Sequence, residues 1–195
     1  ELVTSISRRQ VLAGKKSDKL RDIVVNSLFE LASTENYWKD NDVFFNCIGT
    51  TRQRAGGAKE FINVELGISN EAAKMASNAN IPHASLISAK GANHKIWAKN
   101  WIHPLLYVKT MGQKEQTIIS QFSFNAVSIF KPGMLIRLQG KETWFSSFSE
   151  SKSLGLRVDT LASAMIDDAE RVKLGKATKS PQFFIGNKHI KNSSD

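Results

Sequence analysis

One cysteine, four prolines and twelve glycines in 195 residues exclude several architectures at once. Cys47 has no partner for an internal disulfide, so a stapled fold is excluded and a reducing compartment, cytoplasmic or mitochondrial, is expected. The four histidines, at 83, 94, 103 and 189, have no zinc-site spacing, and no metal is expected. Scarce Pro and Gly exclude collagen and low-complexity polymers. No apolar run approaches the roughly 20 residues that cross a bilayer, and no charged and apolar leader stands at the start.

What is present suits one globular core. Hydrophobic residues make up 41% and charged residues 23%, and no Ser/Gly linker or internal repeat divides the chain, so a single domain over residues 1–195 is expected. Lysine and arginine number 27 against 18 acidic residues, a net charge of +9 that favours an anionic partner: phosphate, nucleic acid or a membrane surface. The opening Leu2-Val3-Thr4-Ser5-Ile6 reads as a strand already in progress.

Short β-branched or aromatic runs alternate with longer helical patterns, the mark of an α/β fold with a mainly parallel sheet and helices on both faces. Strands are predicted over 2–7, 22–28, 43–48, 84–88, 125–130 and 182–185. Phe61, Val64, Ile68, Ala72, Met75, Ala76 and Ala79 share one helical face, as do Val158, Leu161, Ala162, Met165, Ala169 and Val172. A third helix is expected from near Pro104 to about Gln121. Residues 139–155, rich in Ser and Phe, read as a long surface connection, and 191–195 as a frayed end.

Three groups fall where strands end, the edge at which open α/β sheets bind ligands. Ser7-Arg8-Arg9 follows the first strand. Arginines there can hold a 2′-phosphate through paired charged donors, pointing to NADP rather than NAD, although a solvated basic turn reads equally well. Ile48-Gly49-Thr50-Thr51-Arg52 opens a buried strand into a loop whose small residues admit a ligand to the backbone, with Thr and Arg as donors; a plain turn is the alternative. The third group is Ser88-Ala89-Lys90-Gly91, Tyr107 and Lys131-Pro132-Gly133. Ser, Tyr and Pro-Gly in that order suit polarisation of a carbonyl beside a nicotinamide, provided a cation lowers the tyrosine pKa from about 10.

The runs Val3-Thr4-Ser5-Ile6-Ser7-Arg8-Arg9, Asn46-Cys47-Ile48-Gly49-Thr50-Thr51-Arg52 with Ala55-Gly56, Leu86-Ile87-Ser88-Ala89-Lys90-Gly91-Ala92, Phe130-Lys131-Pro132-Gly133 and Ala164-Met165-Ile166 together carry a family resemblance. The chain resembles the atypical short-chain dehydrogenase/reductases of the Tat-interacting oxidoreductase type. The resemblance implies a Rossmann-like NADP(H) fold with a Ser, Tyr and Lys site, in which Lys contacts the ribose and lowers the Tyr pKa. On that reading Ser88 and Tyr107 are the catalytic candidates. Arg8, Arg9, Gly49, Thr50, Thr51, Arg52, Pro132 and Gly133 are the cofactor-binding ones, and residues 139–195 include the small substrate-side region.

Two departures from the family pattern stand out. This sequence contains no GxxGxxG, and it starts where the family's second strand would start, so the first strand and its phosphate loop are expected to be missing and NADP(H) binding to need that loop supplied. Four residues after Tyr107, where the family's Lys is expected, stands Met111; Lys109 and Lys114 lie at other helical positions. Ser88 or Ala89 can occupy the serine register. A Met cannot donate to a ribose or stabilise a tyrosinate, a loss comparable to one oxyanion donor, roughly 3 kcal/mol.

Residues 93–101, Asn-His-Lys-Ile-Trp-Ala-Lys-Asn-Trp, interleave bases with aromatics, as single-strand binders do, but one loop is not a stacking platform and a substrate-side lid or protein contact is the better reading. His94 and His103 are expected to be solvated or locally hydrogen-bonded, and Cys47 to pack within its strand. The leading expectation is an NADP(H)-binding, catalytically weak member acting as a scaffold or accessory subunit with a protein partner. An active reductase of small carbonyl compounds stands second. A nucleic-acid-binding protein, with only charge behind it, stands third.

Overall fold

Along two central strands the apolar side chains alternate between two faces, and a helical layer covers each. The computed structural model describes residues 2–12, 17–99, 103–136, 155–176 and 179–193. Strands β1 (Val3–Ser7) and β2 (Leu20–Val24) form a parallel pair. Strands β3 (Val43–Asn46), β4 (His83–Ile87), β5 (Ala126–Lys131) and β8 (Gln182–Ile185) form a four-stranded parallel sheet in that order. A third parallel pair joins β6 (Met134–Ile136) to β7 (Gly155–Arg157). Parallel strands buried on both faces read as near-continuous apolar runs, which is why these strands were legible.

Ala84 and Leu86 of β4, with Val127 and Ile129 of β5, face a core completed by Phe44, Ile68, Ala72, Ala76 and Ile118. The opposite face carries Phe130, Phe184, Leu161, Ala164 and Met165. The first layer comes from helices α1 (Arg52–Ala55), α2 (Ala58–Ile62), α3 (Ser69–Asn78) and α4 (His103–Ser120), the second from α5 (Val158–Lys173) and α6 (Asn187–Lys191). This is the expected mainly parallel α/β architecture. Strands β1 and β3 belong to different sheets and do not pair, although Ile6 of β1 packs against the first core.

Several local expectations change. The second strand lies at Leu20–Val24, not 22–28, and a 3₁₀ helix (Leu31–Tyr37) follows, anchored by Leu31, Thr34 and the Trp38 indole that donates to Thr34 Oγ1 at 2.9 Å. The stripe from Phe61 to Ala79 is broken by a π-helical turn (Asn63–Ile68). The wider turn rotates the helix so that Glu65 and Ser69 become buried. In α5 the buried face is Leu161, Ala164, Met165 and Asp168, and Ala162 is exposed. Cys47 lies just beyond β3 and is exposed. Lys191 closes α6, and Ser193 is buried with its Oγ donating to the Ile190 carbonyl at 2.8 Å, so 191–193 do not fray. The connection expected over 139–155 lies, except for Gly155, outside the described residues.

Candidate functional site

The carboxyl ends of β3, β4 and β5 fall on one edge, and α4 crosses above them carrying a buried Lys-Glu sequence that serves two different loops. Lys114 reaches the β3 side. Its Nζ donates to the Ile48 carbonyl at 2.6 Å and lies 3.3 Å from Glu65 Oε2, while Glu65 Oε1 accepts from the Thr50 N–H at 2.7 Å. Both side chains are almost fully buried. Burial pulls the Lys114 pKa down, and the Glu65 carboxylate opposes that shift. Asn46 adds a further tie, its Nδ2 donating to Ser69 Oγ at 2.7 Å.

Glu115 reaches the β4 and β5 side. Its Oε1 accepts from the Ser88 hydroxyl and its Oε2 pairs with Lys131 Nζ at 2.9 Å. Lys131 also donates to the Ala92 carbonyl at 3.2 Å, and the Lys90 N–H donates to the Pro132 carbonyl at 2.8 Å. The loop after β4 is thus held to β5 and α4 at several points. Gly112 makes the approach possible, since a Cβ there would lie 2.2 Å from His94 N and 2.4 Å from Asn93 C. An open cavity of about 370 Å³ beside this network is lined by His94, Glu115, Lys131, Phe183 and Ile185 among others.

Tyr107 sits half-buried in α4, its ring 6.0 Å from that of Phe61. Burial raises its pKa and the Glu65 carboxylate raises it further. This is opposite to what proton transfer near neutrality requires. Met111, one turn on, is buried, and Lys114 is committed to Ile48 and Glu65. Ser88 is buried with its hydroxyl given to Glu115, and Ala89 beside it is buried too.

Arg8 and Arg9 are exposed at the end of β1, where the Ser7 hydroxyl donates to the Arg9 carbonyl. Thr51 caps α1, accepting from the Arg54 N–H at 3.2 Å, and Gly56 closes that helix at φ 94°. Arg52, Gln53, Gly56 and Gly57 line a second open cavity of about 530 Å³. Thr50 is half-buried, Gly49 is exposed, Pro132 is buried and Gly133 donates to Asn187 Oδ1 at 2.9 Å. In the 93–99 segment His94 is exposed and Lys99 lies 5.6 Å over the Trp97 ring; the side chain of His103 lies outside the description. No group of three metal-ligating side chains occurs among the described residues.

Glu65, Gly112, Lys114, Glu115 and Lys131 were not singled out by sequence as a structural set. The available signal was a charged residue embedded in each apolar helical stripe, notably Glu65 between Phe61 and Ile68. Helical spacing could not show which carbonyls these charges meet.

A 135-residue stretch, 69% of the chain, is 36% identical to the mitochondrial protein FMP52-1 of Scheffersomyces stipitis and covers 55% of that protein. A 134-residue stretch, 69% of the chain, is 28% identical to protein HTATIP2 of Rattus norvegicus and covers 52% of it. The FMP52 proteins and HTATIP2 are thus homologues to which this chain is similar over about two thirds of its length. The resemblance to atypical short-chain dehydrogenase/reductases of the Tat-interacting type is thereby borne out, and the matched part spans about half the length of these relatives. No family model matches the chain. A solved UDP-glucose 4-epimerase superposes over 98% of this chain and 73% of its own with a TM-score of 0.66 at 12% identity. The UDP-glucuronic acid 4-epimerase of Bacillus cereus, solved in complex with NAD, superposes over 94% of this chain and 68% of its own with a TM-score of 0.65 at 8% identity. At such identities the likeness establishes the Rossmann-like fold alone. No helix among the described residues is long and apolar enough to cross a membrane.

Proposed function

We propose that the chain is an NADP(H)-binding member of this group with weak or absent carbonyl reductase activity, acting as a scaffold or accessory subunit for a protein partner. The observation that carries this is the buried Met111 one helical turn beyond Tyr107, with burial and Glu65 both raising the tyrosine pKa. Where a lysine would add positive charge, the thioether adds none.

Residues on the strand-end loops fit a dinucleotide in part. On this reading the Thr50 and Thr51 hydroxyls would meet a ribose, the exposed Arg8 and Arg9 would offer charged donors to a 2′-phosphate, and the Pro132-Gly133 segment after β5 would border the nicotinamide. This sequence contains no glycine-rich GxxGxxG loop for the diphosphate, and tight binding requires such a loop. When bound, NADPH supplies a hydride. Tyr107 would then have to protonate the carbonyl oxygen, and its high pKa keeps the phenol protonated but makes its anion costly to form. Ser88 can polarise that oxygen only by giving up Glu115. The FMP52 relatives are named as mitochondrial, which supports the same placement for this chain.

Met111→Lys tests the reading. Spectrophotometric titration of the phenol should show Tyr107 ionising at lower pH than in the unmutated protein, and carbonyl reduction should rise by tenfold or more with NADPH. An unchanged Tyr107 titration and unchanged turnover would reject it.

A further inference from the structure

The loop after β3 is held from both sides by two buried charges that the Ser, Tyr and Lys scheme does not use. Lys114 Nζ takes the Ile48 carbonyl and Glu65 Oε1 takes the Thr50 N–H, so the peptide groups flanking Gly49 are each tied to one member of a buried ion pair. Gly49 lies against the same carboxylate, since a Cβ there would stand 3.4 Å from Glu65 Oε1. The pair bridges two elements, α4 and the π turn, whose irregular winding is what brings Glu65 inward. A hydrophobic pair would fill the space without fixing either peptide. A lysine and a glutamate with defined donors and acceptors set the loop's conformation as well as its position.

We infer that Lys114 and Glu65 are positioning residues that hold the 48–50 loop in the shape a bound dinucleotide meets. This inference rests on the dinucleotide reading above. In it Lys114 is not a substitute for the lysine missing at position 111: its ammonium is used to orient backbone and to pair with Glu65.

The test combines residue-resolved hydrogen exchange in nucleotide-free protein with NADPH titration, in protein that includes the phosphate loop, for the unmutated protein, Lys114→Met, Glu65→Ala and Glu65→Gln. Glu65→Ala removes the acceptor and should speed exchange of the Thr50 amide at least tenfold, while the amides of Leu86 and Ile129 in β4 and β5 keep their protection. Glu65→Gln retains an acceptor oxygen and should recover most of the Thr50 protection. Lys114→Met should weaken NADPH binding at least tenfold. If it does not fold, Lys114→Met with Glu65→Gln, which removes both members of this pair, is expected to fold and show the same weakening. Unchanged Thr50 exchange in Glu65→Ala, or equal acceleration throughout β4 and β5, would overturn the inference. So would full NADPH affinity in the lysine variants. Failure of the unmutated protein to bind NADPH with the phosphate loop present would reject the dinucleotide reading instead, and the exchange measurements would still decide whether the clamp exists.

Discussion

Arg8 and Arg9 are exposed at the mouth of β1, while the candidate catalytic side chains are buried or half-buried, and this difference separates what each can do. Exposed guanidinium groups lose little by waiting in water and gain paired charged hydrogen bonds when a phosphate arrives. NADPH is therefore expected to bind more tightly than NADH once a phosphate loop is present, by about tenfold or more. Arg8→Ala with Arg9→Ala should erase the preference, and equal affinities in the unmutated protein would refute it; competitive titration measures both. At this scale the sequence showed Tyr107, Met111 and the strand-end groups, because each depends on spacing along a single element. It did not show that the Ser88 hydroxyl is tied to Glu115 or that Lys114 is buried against Glu65, because those contacts join residues 27 and 49 positions apart.

Helix α4 decides the geometry of the site, for Lys114 fixes the loop after β3 while Glu115 fixes the loop after β4 and the end of β5. Gly112 lets it do so. In an ordinary helix interior Gly→Ala gains about 1 kcal/mol, but here the new methyl would meet the backbone of Asn93 and His94 at well under contact distance. Gly112→Ala is therefore expected to destabilise the fold by about 1–3 kcal/mol, the usual cost of overpacking, and to displace the 88–94 loop. Denaturant unfolding would show this, and a stabilised variant would contradict it. The helices themselves were legible from apolar periodicity. The π turn was not, since a stripe read at 3.6 residues per turn carries Val64 and Ile68 through it without a break, whereas the extra residue in the wider turn sends Glu65 inward.

Across the whole molecule, the candidate ligand groups and a buried histidine lie at opposite ends of the sheet. The strand-end loops carry the candidate ligand groups. At the start of β4, His83 is buried beneath α5, its Nε2 3.0 Å from Ser128 Oγ and 3.8 Å from Asp168 Oδ2. Burial lowers the His83 pKa, with Asp168 opposing, so the unfolded chain takes up a proton that the folded one refuses between the lowered value and about 6.5. Stability should accordingly fall as pH drops below about 6.5, by at most about 1.4 kcal/mol per pH unit, and His83→Gln should remove that component of unfolding curves taken across pH. The parallel sheet was legible in the buried strands, but the separation of β1–β2 from β3–β4–β5–β8 is a matter of pairing between distant segments, which composition and period do not encode. With Met111 one helical turn from Tyr107, this Rossmann-like fold is expected to reduce carbonyl compounds weakly or not at all. Steady-state NADPH consumption with small carbonyl substrates, in protein shown to be saturated with NADPH, decides this. Turnover near the uncatalysed background, unaltered by Tyr107→Phe, is the predicted result; robust turnover in the unmutated protein that is abolished by Tyr107→Phe would contradict it.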